Sequence, residues 1–531
     1  MLKLIKNFTH RELLAVLAGA LVPLSLSPFN FNLLIYISII LLLYSINNID
    51  KCSIKRAVLR GYLYGCGCFS LGVSWVYISI HDHGNASIAL AGLFTLMFVL
   101  TLAIFPALKI GLFKYLLTKQ HNLNLLILAP SIWIIIDWLQ GWVFTGFPWL
   151  YIGYSQTNSI LANFAPILSV FGLSWLTVFI SGLIYLILQN ILLFIKNNRN
   201  QTCINHALSY LLILVTIFIS GQSLSGIQWT TRMPGAQTEN LVLVQGNIPQ
   251  EMRWQKSQLI DHINKYINLS KPYWAHSTII WPESAVPLPA HYIKDLIEEW
   301  LILAKKNNST LIFGVPILAN NNDQFYNAIV AINNKNNKNN KNTKIDQYYK
   351  NKLVPWGEYV PLENIFRGLI EFFDLPMSNF ISGTAGNIPY SVLHSEFIQW
   401  LPFICYEIAY PDYVISQSSL GNAIITISND AWFGHSIGPW QHLQLAQMRA
   451  LETGRPVIRS TNNGITAIIG ADGKIIKQIP QFETAILTGK ITGYTGMTPI
   501  MYIGVKTIIT ISFLLILLCY RLDILTSLKR R

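Results

Sequence analysis

Long apolar runs crowd the first 222 residues of the chain, and one further run lies near its C-terminus. A helix that spans a membrane needs about 20 mostly apolar residues, and most of these runs come close to that length. Further runs follow the first one at once, so a cleaved signal peptide is a poor interpretation of the N-terminus. The pattern predicts about eight membrane spans, in the ranges 13–26, 31–46, 61–80, 88–108, 125–142, 160–195, 207–220 and 503–520.

Between residues 224 and 499 the pattern changes to short apolar runs, which are separated by polar turns that contain Pro or Gly. Short runs bounded by such turns indicate buried strands, and the amphipathic stretches between them indicate helices. Strands that alternate with helices favour an α/β domain with a largely covered sheet. The predicted strands are 240–245, 277–281, 310–315, 327–332, 399–405, 423–428 and 465–469, and the predicted helices are 255–269, 291–306 and 440–453.

Composition excludes two broad classes of protein. Charged residues make up 12% of the chain and hydrophobic residues 52%, whereas ordinary soluble domains carry about 25% charged residues. The chain is therefore not a simple soluble protein, and its high hydrophobicity also excludes a disordered one. The formal net charge of +13 is compatible with either nucleic acid or an anionic membrane as a partner, and the positions of the charges must decide between them.

The basic residues follow the orientation rule of membrane proteins. If the N-terminus is cytoplasmic, each inner segment carries at least two Lys or Arg, whereas the outer loops near 28–30, 81–85 and 144–159 carry none. This asymmetry explains much of the net charge without nucleic acid. It places both termini in the cytoplasm and the segment 224–499 outside. The polar insert 333–344 is predicted to be a solvated loop rather than a basic patch.

Three domains follow from this pattern. Residues 1–223 are predicted to form a membrane bundle of about seven helices, and residues 224–499 an extracytoplasmic α/β domain. Residues 500–531 are predicted to form a C-terminal membrane helix with a short basic cytoplasmic tail.

Cys405 is the only one of the six cysteines that lies in the predicted outer domain. A lone cysteine is more often a small core residue than a nucleophile. However, Cys405 ends a predicted apolar strand, and the carboxyl ends of strands are where α/β sheets present their chemistry. Both interpretations remain open on position alone.

A neutral thiol is a weak nucleophile, so it needs a base or a nearby cation. Glu283 directly follows a predicted strand in Trp281-Pro282-Glu283, where apolar neighbours should partly desolvate its carboxylate. A helix cap or a surface carboxylate is the alternative interpretation. Position alone does not choose the cation among Lys344, Lys350 and Lys352.

The order Glu283, Lys350, Cys405 resembles the Glu-Lys-Cys site of the nitrilase superfamily. Further motifs resemble the apolipoprotein N-acyltransferase family over nearly the whole chain. Two positions depart from the family pattern, with Trp356 where Phe is expected and Gln140 where Arg is expected. The motifs are Gly146-Phe147-Pro148-Trp149, Gly153-Tyr154-Ser155-Gln156, Gly246-Asn247-Ile248-Pro249-Gln250, Trp281-Pro282-Glu283, the run from Leu353 to Pro361, Cys405-Tyr406-Glu407 and the run from Asn429 to Gly434.

This resemblance implies a fold and an activity. The fold would be a membrane α-helical bundle of about eight spans with an extracytoplasmic α/β nitrilase-like domain, an αββα sandwich. The enzyme would move an acyl chain from a phospholipid, expected to be phosphatidylethanolamine, to the cysteine as a thioester. It would then pass the chain to the N-terminal amine of a diacylglyceryl-cysteine in an apolipoprotein.

The resemblance also implies a setting. The enzyme would be a monomer in the bacterial cytoplasmic (inner) membrane, with its catalytic domain on the periplasmic side. It would bind no cofactor, metal or nucleic acid.

The resemblance assigns the roles of single residues. Glu283 would be the base, Lys350 would stabilise the oxyanion, and Cys405 would carry the acyl group. Glu358 and Glu407 would support the Lys and the Cys loop, and Tyr406 would line the pocket. Trp254 resembles a functional aromatic residue of the family, with a core or rim Trp as the equal alternative.

The segment 372–380 concentrates apolar residues between the Lys and Cys motifs, among them Phe372, Phe373 and Met377. We expect a lid that contacts acyl chains, and the alternative is a buried loop. A double Phe372→Ala, Phe373→Ala change should lower turnover with little loss of stability in a lid, and should lower both in a buried loop.

Two other functions fit part of the sequence. A membrane-anchored nitrilase-like amidohydrolase would use the same three residues but pass the acyl group to water, and it would need only one span. A transporter should show intramembrane charge along a path, and Asp137 is the one clear acid deep in a predicted span. His81-Asp82-His83 favours a helix cap over a metal site.

Overall fold

The structure is a computed structural model of the 531-residue chain, and it divides the chain into two compact units. One unit comprises Met1–Tyr77, Ala89–Ile227 and Ile503–Arg531, and the other comprises Ile78–Ile88 and Gln228–Tyr502. The described residues are 9–46, 52–196, 200–235, 237–252, 255, 257–319, 324–333, 345–355, 357–359, 380–384 and 389–529.

The first unit is helical. Each apolar run of the sequence lies on one or two of its helices, so the positions of the predicted apolar helices are confirmed. The helices are α1 (His10–Leu24), α2 (Leu33–Ser45), α3 (Ile54–Gly72), α4 (Ile88–Leu102), α5 (Ile104–Tyr115), α6 (Ala129–Gln140), α7 (Ala165–Lys196), α8 (Gln201–Leu224) and the C-terminal helix (Val505–Lys529), with shorter turns at Trp75–Ile78, His121–Leu123, Asn124–Leu128, Val143–Thr145, Ile152–Gln156 and Ile160–Phe164. The turn Ser79–His83 lies in the part of the second unit that precedes α4.

Judged by their length, fewer of the described helices could cross a membrane than the eight that the sequence predicts. Five described helical segments are long and apolar enough to cross a membrane, or six if the bent pair Ile54–Gly72 and Trp75–His83 is one span. Helices α1 and α2 have 15 and 13 residues, which is shorter than the roughly 20 residues that a span needs.

Close approach of backbones holds α1, α3 and α5 together. A Cβ on Gly65 of α3 would lie 2.7 Å from the Cα of Ala103, and a Cβ on Gly19 of α1 would lie 1.9 Å from the carbonyl oxygen of Tyr64. Only glycine fits at these two positions, which is how small residues allow apolar helices to pack.

Two buried ion pairs join helices of this unit. Arg60 of α3 binds Glu12 of α1 at 2.9 Å, and Lys109 of α5 binds Asp137 of α6 at 2.5 Å. The Lys109 ammonium also lies 4.4 Å from the ring centroid of Trp133. The acid that stood out in the sequence therefore has a partner, which weakens the case for a transport path.

The second unit is built on two sheets of six strands each in the described residues. Their strand orders are β13-β2-β3-β4-β5-β6 and β12-β11-β10-β9-β8-β7. The strands are β1 (Thr231–Arg232), β2 (Glu239–Gln245), β3 (Thr278–Ile280), β4 (Thr310–Leu318), β5 (Phe325–Ile332), β6 (Ile345–Tyr349), β7 (Leu393–His394), β8 (Gln399–Ile404), β9 (Ala423–Ser428), β10 (Val457–Thr461), β11 (Thr466–Ile469), β12 (Ile475–Ile479), β13 (Ala485–Ile491) and β14 (Tyr494–Thr495), with β1 pairing β14 separately.

Four longer helices accompany the sheets. They are α9 (Leu259–Ser270), α10 (Lys294–Lys306), α11 (Pro411–Gln417) and α12 (Gly438–Thr453), with single turns at Lys271–Tyr273, Ala290–Tyr292, Cys405–Ala409, Ser418–Leu420, Asp430–Phe433 and Pro499–Ile503.

Apolar side chains place these elements in layers. Side chains from both sheets, such as Leu243, Ile312, Ile427 and Ile458, form one buried cluster, so the sheets pack face to face. The other face of the first sheet packs against α9 and α10, and α12 packs against β10 of the second sheet. This layering matches the αββα sandwich that the resemblance implies.

The strands and helices of the second unit include all the predicted ones and several more. Each predicted strand and helix has a counterpart, with ends that differ by up to four residues. The sequence pattern missed β6, β10, β12 and β13, because these strands mix charged or polar residues with apolar ones. In β10, for example, Arg459 is fully buried. The pattern also missed the two-residue strands β1, β7 and β14 and the short helix α11.

Candidate active site

The three predicted reactive residues each follow the carboxyl end of a strand. Glu283 lies three residues after β3, Lys350 directly follows β6, and Cys405 directly follows β8. β4 runs parallel to β3, and β5 is antiparallel to both β4 and β6, so β6 runs in the same direction as β3. Glu283 and Lys350 therefore lie at the same edge of the first sheet.

Glu283 is buried and held by donors on both carboxylate oxygens. Its Oε1 accepts from Asn327 Nδ2 at 2.8 Å and lies 3.5 Å from Lys350 Nζ, while its Oε2 accepts from the backbone N–H of Asn429 at 2.8 Å. A Cβ on Gly314 of β4 would come within 2.8 Å of the Glu283 Cα. Glycine at this position therefore leaves room for the backbone that carries Glu283.

Lys350 is 1% exposed and lies between two carboxylates. Its Nζ donates to Glu358 Oε1 at 2.8 Å and lies within 3.5 Å of Glu283. Burial alone would lower the pKa of Lys350, but Glu358 and Glu283 outweigh it and raise that pKa above the usual value. The group is thus a fixed cation. By contrast, Lys352 is exposed, and Lys344 lies outside the described residues.

Asn327 is a member of this cluster that the sequence did not reveal. Its side-chain amide donates both to Glu283 and, at 2.9 Å, to Glu358. It lies at the start of β5, at the edge where β6 ends. In the sequence it is one polar residue in an apolar strand, and nothing in that pattern separates it from other such residues.

Cys405 is partly exposed and has a φ of +52°. Burial raises the pKa of the Cys405 thiol, Glu283 raises it further, and Lys350 lowers it. The net direction is upward, so the resting thiol keeps its proton. A reaction of this thiol therefore needs a base that removes the proton as the bond forms.

Glu407 ties the cysteine strand to the lysine loop. Its two oxygens accept from the backbone N–H groups of Ile404 (2.7 Å), Asn351 (2.6 Å) and Lys352 (3.1 Å) and from the Tyr348 hydroxyl (2.9 Å). Burial raises the pKa of Glu407 to about 7, against the opposing effect of these donors. Glu407, for which a supporting role is predicted, thus connects the end of β8 in the second sheet to the end of β6 in the first.

The remaining predicted residues fall into two groups. Tyr406 is buried and its ring meets that of Tyr410 edge-on at 5.2 Å, while Glu358 Oε2 also accepts from the N–H of Val354 at 2.9 Å. The predicted residues Trp254, Phe372, Phe373 and Met377 lie outside the described residues, as does Trp356.

Other positions that the sequence raised have structural partners. The amide of Gln140 donates to the carbonyl oxygens of Phe147 and Trp149 at 3.0 and 3.2 Å, so it fixes the turn after α6. His81 Nδ1 contacts the carbonyl oxygen of Ala86 at 2.8 Å, and His83 Nδ1 lies 3.1 Å from Glu251. In the part of the chain that the structure describes, no group of three or more His, Cys, Asp or Glu is arranged to hold a metal ion.

Comparison with known proteins identifies two family matches and many similar proteins. A model of the carbon-nitrogen hydrolase family matches residues 241–499, and a model of the apolipoprotein N-acyltransferase N-terminal domain matches residues 18–183.

Three proteins named apolipoprotein N-acyltransferase illustrate the similarity. The one from Pseudomonas aeruginosa is 39% identical over 495 residues, covering 92% of this chain and 91% of that protein. The one from Coxiella burnetii is 37% identical over 514 residues, covering 96% and 99%. The one from Vibrio vulnificus is 40% identical over 496 residues, covering 93% of each.

Proposed function

The chain belongs to the apolipoprotein N-acyltransferase family, and we propose that Cys405, Glu283 and Lys350 carry the acyl transfer. Membership makes it an acyltransferase of the carbon-nitrogen hydrolase superfamily that acts in lipoprotein maturation. What supports the three residue roles is the meeting of a thiol, a carboxylate and a buried ammonium group in one domain. Their charges are close enough to shift the thiol pKa.

In the first half-reaction, the Cys405 sulfur attacks the ester carbonyl of a phospholipid while Glu283 takes the thiol proton. A carbon–sulfur bond forms, and the carbonyl oxygen becomes an oxyanion. Lys350 lies beside it as a fixed cation, together with a backbone N–H next to Cys405. The ester carbon–oxygen bond then breaks, and Glu283 returns its proton to the departing lysophospholipid. The product is a thioester on Cys405.

In the second half-reaction, the α-amine of a diacylglyceryl-cysteine attacks the thioester. Glu283 accepts a proton from the amine as the carbon–nitrogen bond forms, and Lys350 again faces the oxyanion. The carbon–sulfur bond breaks, and the proton returns to the Cys405 sulfur. Because the thioester keeps the acyl group activated, no nucleotide or other cofactor is needed.

The three N–H donors of the Lys350 ammonium group support its proposed role at the oxyanion. An ammonium group has three N–H donors. Two of them point to Glu358 and Glu283, and the contacts of the described residues leave the third for an oxyanion. The two carboxylates keep the ammonium charged and fixed, so it needs no reorganisation when the negative charge develops.

We place the enzyme in the bacterial cytoplasmic membrane as a monomer, with phosphatidylethanolamine as the acyl donor. Residues 1–223 and 500–531 form the membrane part with about eight spans, the short helices α1 and α2 included. Residues 224–499 form the catalytic domain on the periplasmic side, with both termini cytoplasmic. The absence of Lys and Arg from the outer loops of the sequence supports this orientation.

One experiment separates acyl transfer to an amine from transfer to water. The purified protein is mixed with phosphatidylethanolamine that carries a labelled acyl chain and with a diacylglyceryl-cysteine peptide. Label should appear on the peptide with the free α-amine, but not on a matched peptide whose amine is acetylated. Release of labelled fatty acid at the same rate with either peptide would indicate the amidohydrolase-like alternative and contradict the proposal.

A further inference from the structure

Behind Cys405 lies a buried cluster of three ionisable side chains, which we call the Asp430 cluster: Asp430, His442 and Arg459. Each is at most 2% exposed. Arg459 of β10 donates to Asp430 Oδ2, and Asp430 Oδ1 lies 3.1 Å from His442 Nδ1. Burial alone would raise the pKa of Asp430, but Arg459 and His442 outweigh it and hold that pKa below its usual range.

The cluster contacts the cysteine residue through its backbone. His442 of α12 places Nε2 3.0 Å from the carbonyl oxygen of Cys405. A carbonyl oxygen only accepts hydrogen bonds, so Nε2 carries the proton and donates it. Burial and Arg459 lower the pKa of His442 and favour the neutral ring, so Nδ1 accepts from Arg459 Nη2 at 3.2 Å, and Asp430 in turn binds Arg459. The imidazole is thus fixed at both nitrogens and aimed at one backbone atom.

That backbone atom belongs to a strained residue. The φ of +52° at Cys405 lies in the left-handed region, which residues other than glycine adopt only where surrounding contacts hold them. Ser428 links the Asp430 cluster to the thiol. Its hydroxyl donates to Asp430 Oδ1 at 2.6 Å, and its side chain interacts with the Cys405 thiol.

We propose that the Asp430 cluster positions the nucleophile: the bond from His442 to the Cys405 carbonyl holds the left-handed conformation that presents the thiol to Glu283 and Lys350. The proposal rests on the function proposed above for Cys405. His442 is a positioning residue, since it touches the backbone of Cys405 and neither the acyl group nor the thiol proton.

The test compares side chains that reach the carbonyl with one that does not. In His442→Gln the amide nitrogen can reach about as far as Nε2 of His442, whereas in His442→Asn the amide is one methylene shorter. Gln447→Asn is the matched control, because Gln447 lies on the same helix and donates to the carbonyl oxygen of Gly473 at 2.9 Å, away from Cys405.

Two rates are measured on full-length protein that elutes as folded in detergent. The first is alkylation of Cys405 by iodoacetamide, followed on the Cys405 peptide by mass spectrometry, and the second is thioester formation from phosphatidylethanolamine. A thiol that moves away from Glu283 and Lys350 loses its base and its cation. His442→Asn should therefore slow both rates by about 10²-fold, the order expected for a misplacement of about 1 Å.

The variants separate positioning from stability. His442→Gln should react at close to the wild-type rate, Gln447→Asn should react normally, and the two Asn variants should lose similar amounts of thermal stability. Any of three results would overturn the proposal. His442→Asn could react at the wild-type rate, Gln447→Asn could lose as much rate as His442→Asn, or His442→Gln could be as slow as His442→Asn. A His442→Asn protein that does not fold would also overturn it, because we expect the hydrogen bond from His442 to Cys405 to contribute little to stability.

The two readouts also separate this proposal from the proposed function. If wild-type protein forms no thioester, the function assigned to Cys405 fails. The alkylation rates still report whether His442 positions the thiol, because iodoacetamide reacts without any lipid substrate.

Discussion

At the scale of single residues, the site combines a protonated thiol with a cation that cannot titrate near neutral pH. Burial and Glu283 raise the pKa of Cys405, while Glu358 and Glu283 keep Lys350 charged. This combination favours attack on an ester only when the base acts in the same step. The roles of Glu283 and Lys350 therefore depend on each other, and a change at either should affect the same step.

Lys350 and the nearby Lys352 offer a matched pair for the oxyanion role. Lys350 is buried beside both carboxylates, whereas Lys352 is exposed and lies 5.5 Å from the ring centroid of Tyr410. Loss of an oxyanion donor typically costs about 10²–10³ in rate. Lys350→Ala should therefore be slower by this order in single-turnover thioester formation, with Lys352→Ala near normal. The reverse result would mean that the wrong lysine has been assigned.

Glu407 should give the stability of the protein a pH dependence. Its pKa is raised by burial to about 7 in the folded state, above the value of about 4.3 for an unperturbed Glu. The folded state thus binds more protons at Glu407 between these values, so the contribution of Glu407 to stability is fully present below about pH 4 and is lost as the pH rises through 7.

Thermal melts from pH 5 to 8 test this effect, with Glu407→Gln as the comparison. The variant is less stable throughout, because an amide NH₂ replaces an oxygen that accepts hydrogen bonds. It should also lack the part of the pH slope that the wild-type protein shows in this window. Identical slopes in the two proteins would show that Glu407 does not titrate there.

The sequence pointed to the proposed reacting residues more clearly than to the contacts that hold them. Cys405 and Glu283 stood out because each follows an apolar strand. The choice of Lys350 over Lys352 came only from the family resemblance, since both lie in one short polar stretch. Asn327 and His442 were not found, because their partners are distant in sequence and only the packing of the two sheets brings them together.

At the scale of elements, glycines decide how closely the helices of the first unit pack. The Cβ of any other residue at Gly65 would overlap the backbone at Ala103, whereas a Cβ at Gly92 of α4 would meet nothing within 4 Å. Both glycines lie in apolar helices, so they separate the effect of helix contact from the effect of the glycine itself.

Gly65→Val should therefore destabilise the protein and Gly92→Val should not. Overpacking of a close contact costs about 1–3 kcal/mol, and thermal melts of the two purified variants in the same detergent measure it. Equal melting temperatures for both variants would mean that α3 and α5 do not depend on this close approach.

Hydrophobic periodicity predicted most elements and failed where polar groups are buried. The apolar helices and the central strands have uninterrupted apolar runs, which is the strongest local signal. β10 reads Val457-Ile458-Arg459-Ser460-Thr461 and does not show an apolar run, because its buried Arg459 pairs with the distant Asp430. β12 has four exposed residues out of five, so it has no apolar pattern to find.

At the scale of the whole molecule, the distribution of basic residues predicts one orientation in the membrane. Ser419, in the α/β unit, and Lys196, at the end of α7, are both exposed. In spheroplasts, a membrane-impermeant maleimide should label Ser419→Cys, and it should label Lys196→Cys only after lysis. Mass spectrometry of the labelled peptides reports each site separately. The opposite pattern would reverse the proposed orientation and place the site in the cytoplasm.

The proposed acyl transfer requires that Cys405 carry the acyl chain, and a direct experiment looks for that thioester. Wild-type protein and Cys405→Ala are incubated with phosphatidylethanolamine that carries a radiolabelled acyl chain, without an amine acceptor. The wild-type protein should acquire label that neutral hydroxylamine releases, and Cys405→Ala should acquire none and lose transferase activity. Full transferase activity in Cys405→Ala, or hydroxylamine-labile label on that variant, would contradict the account.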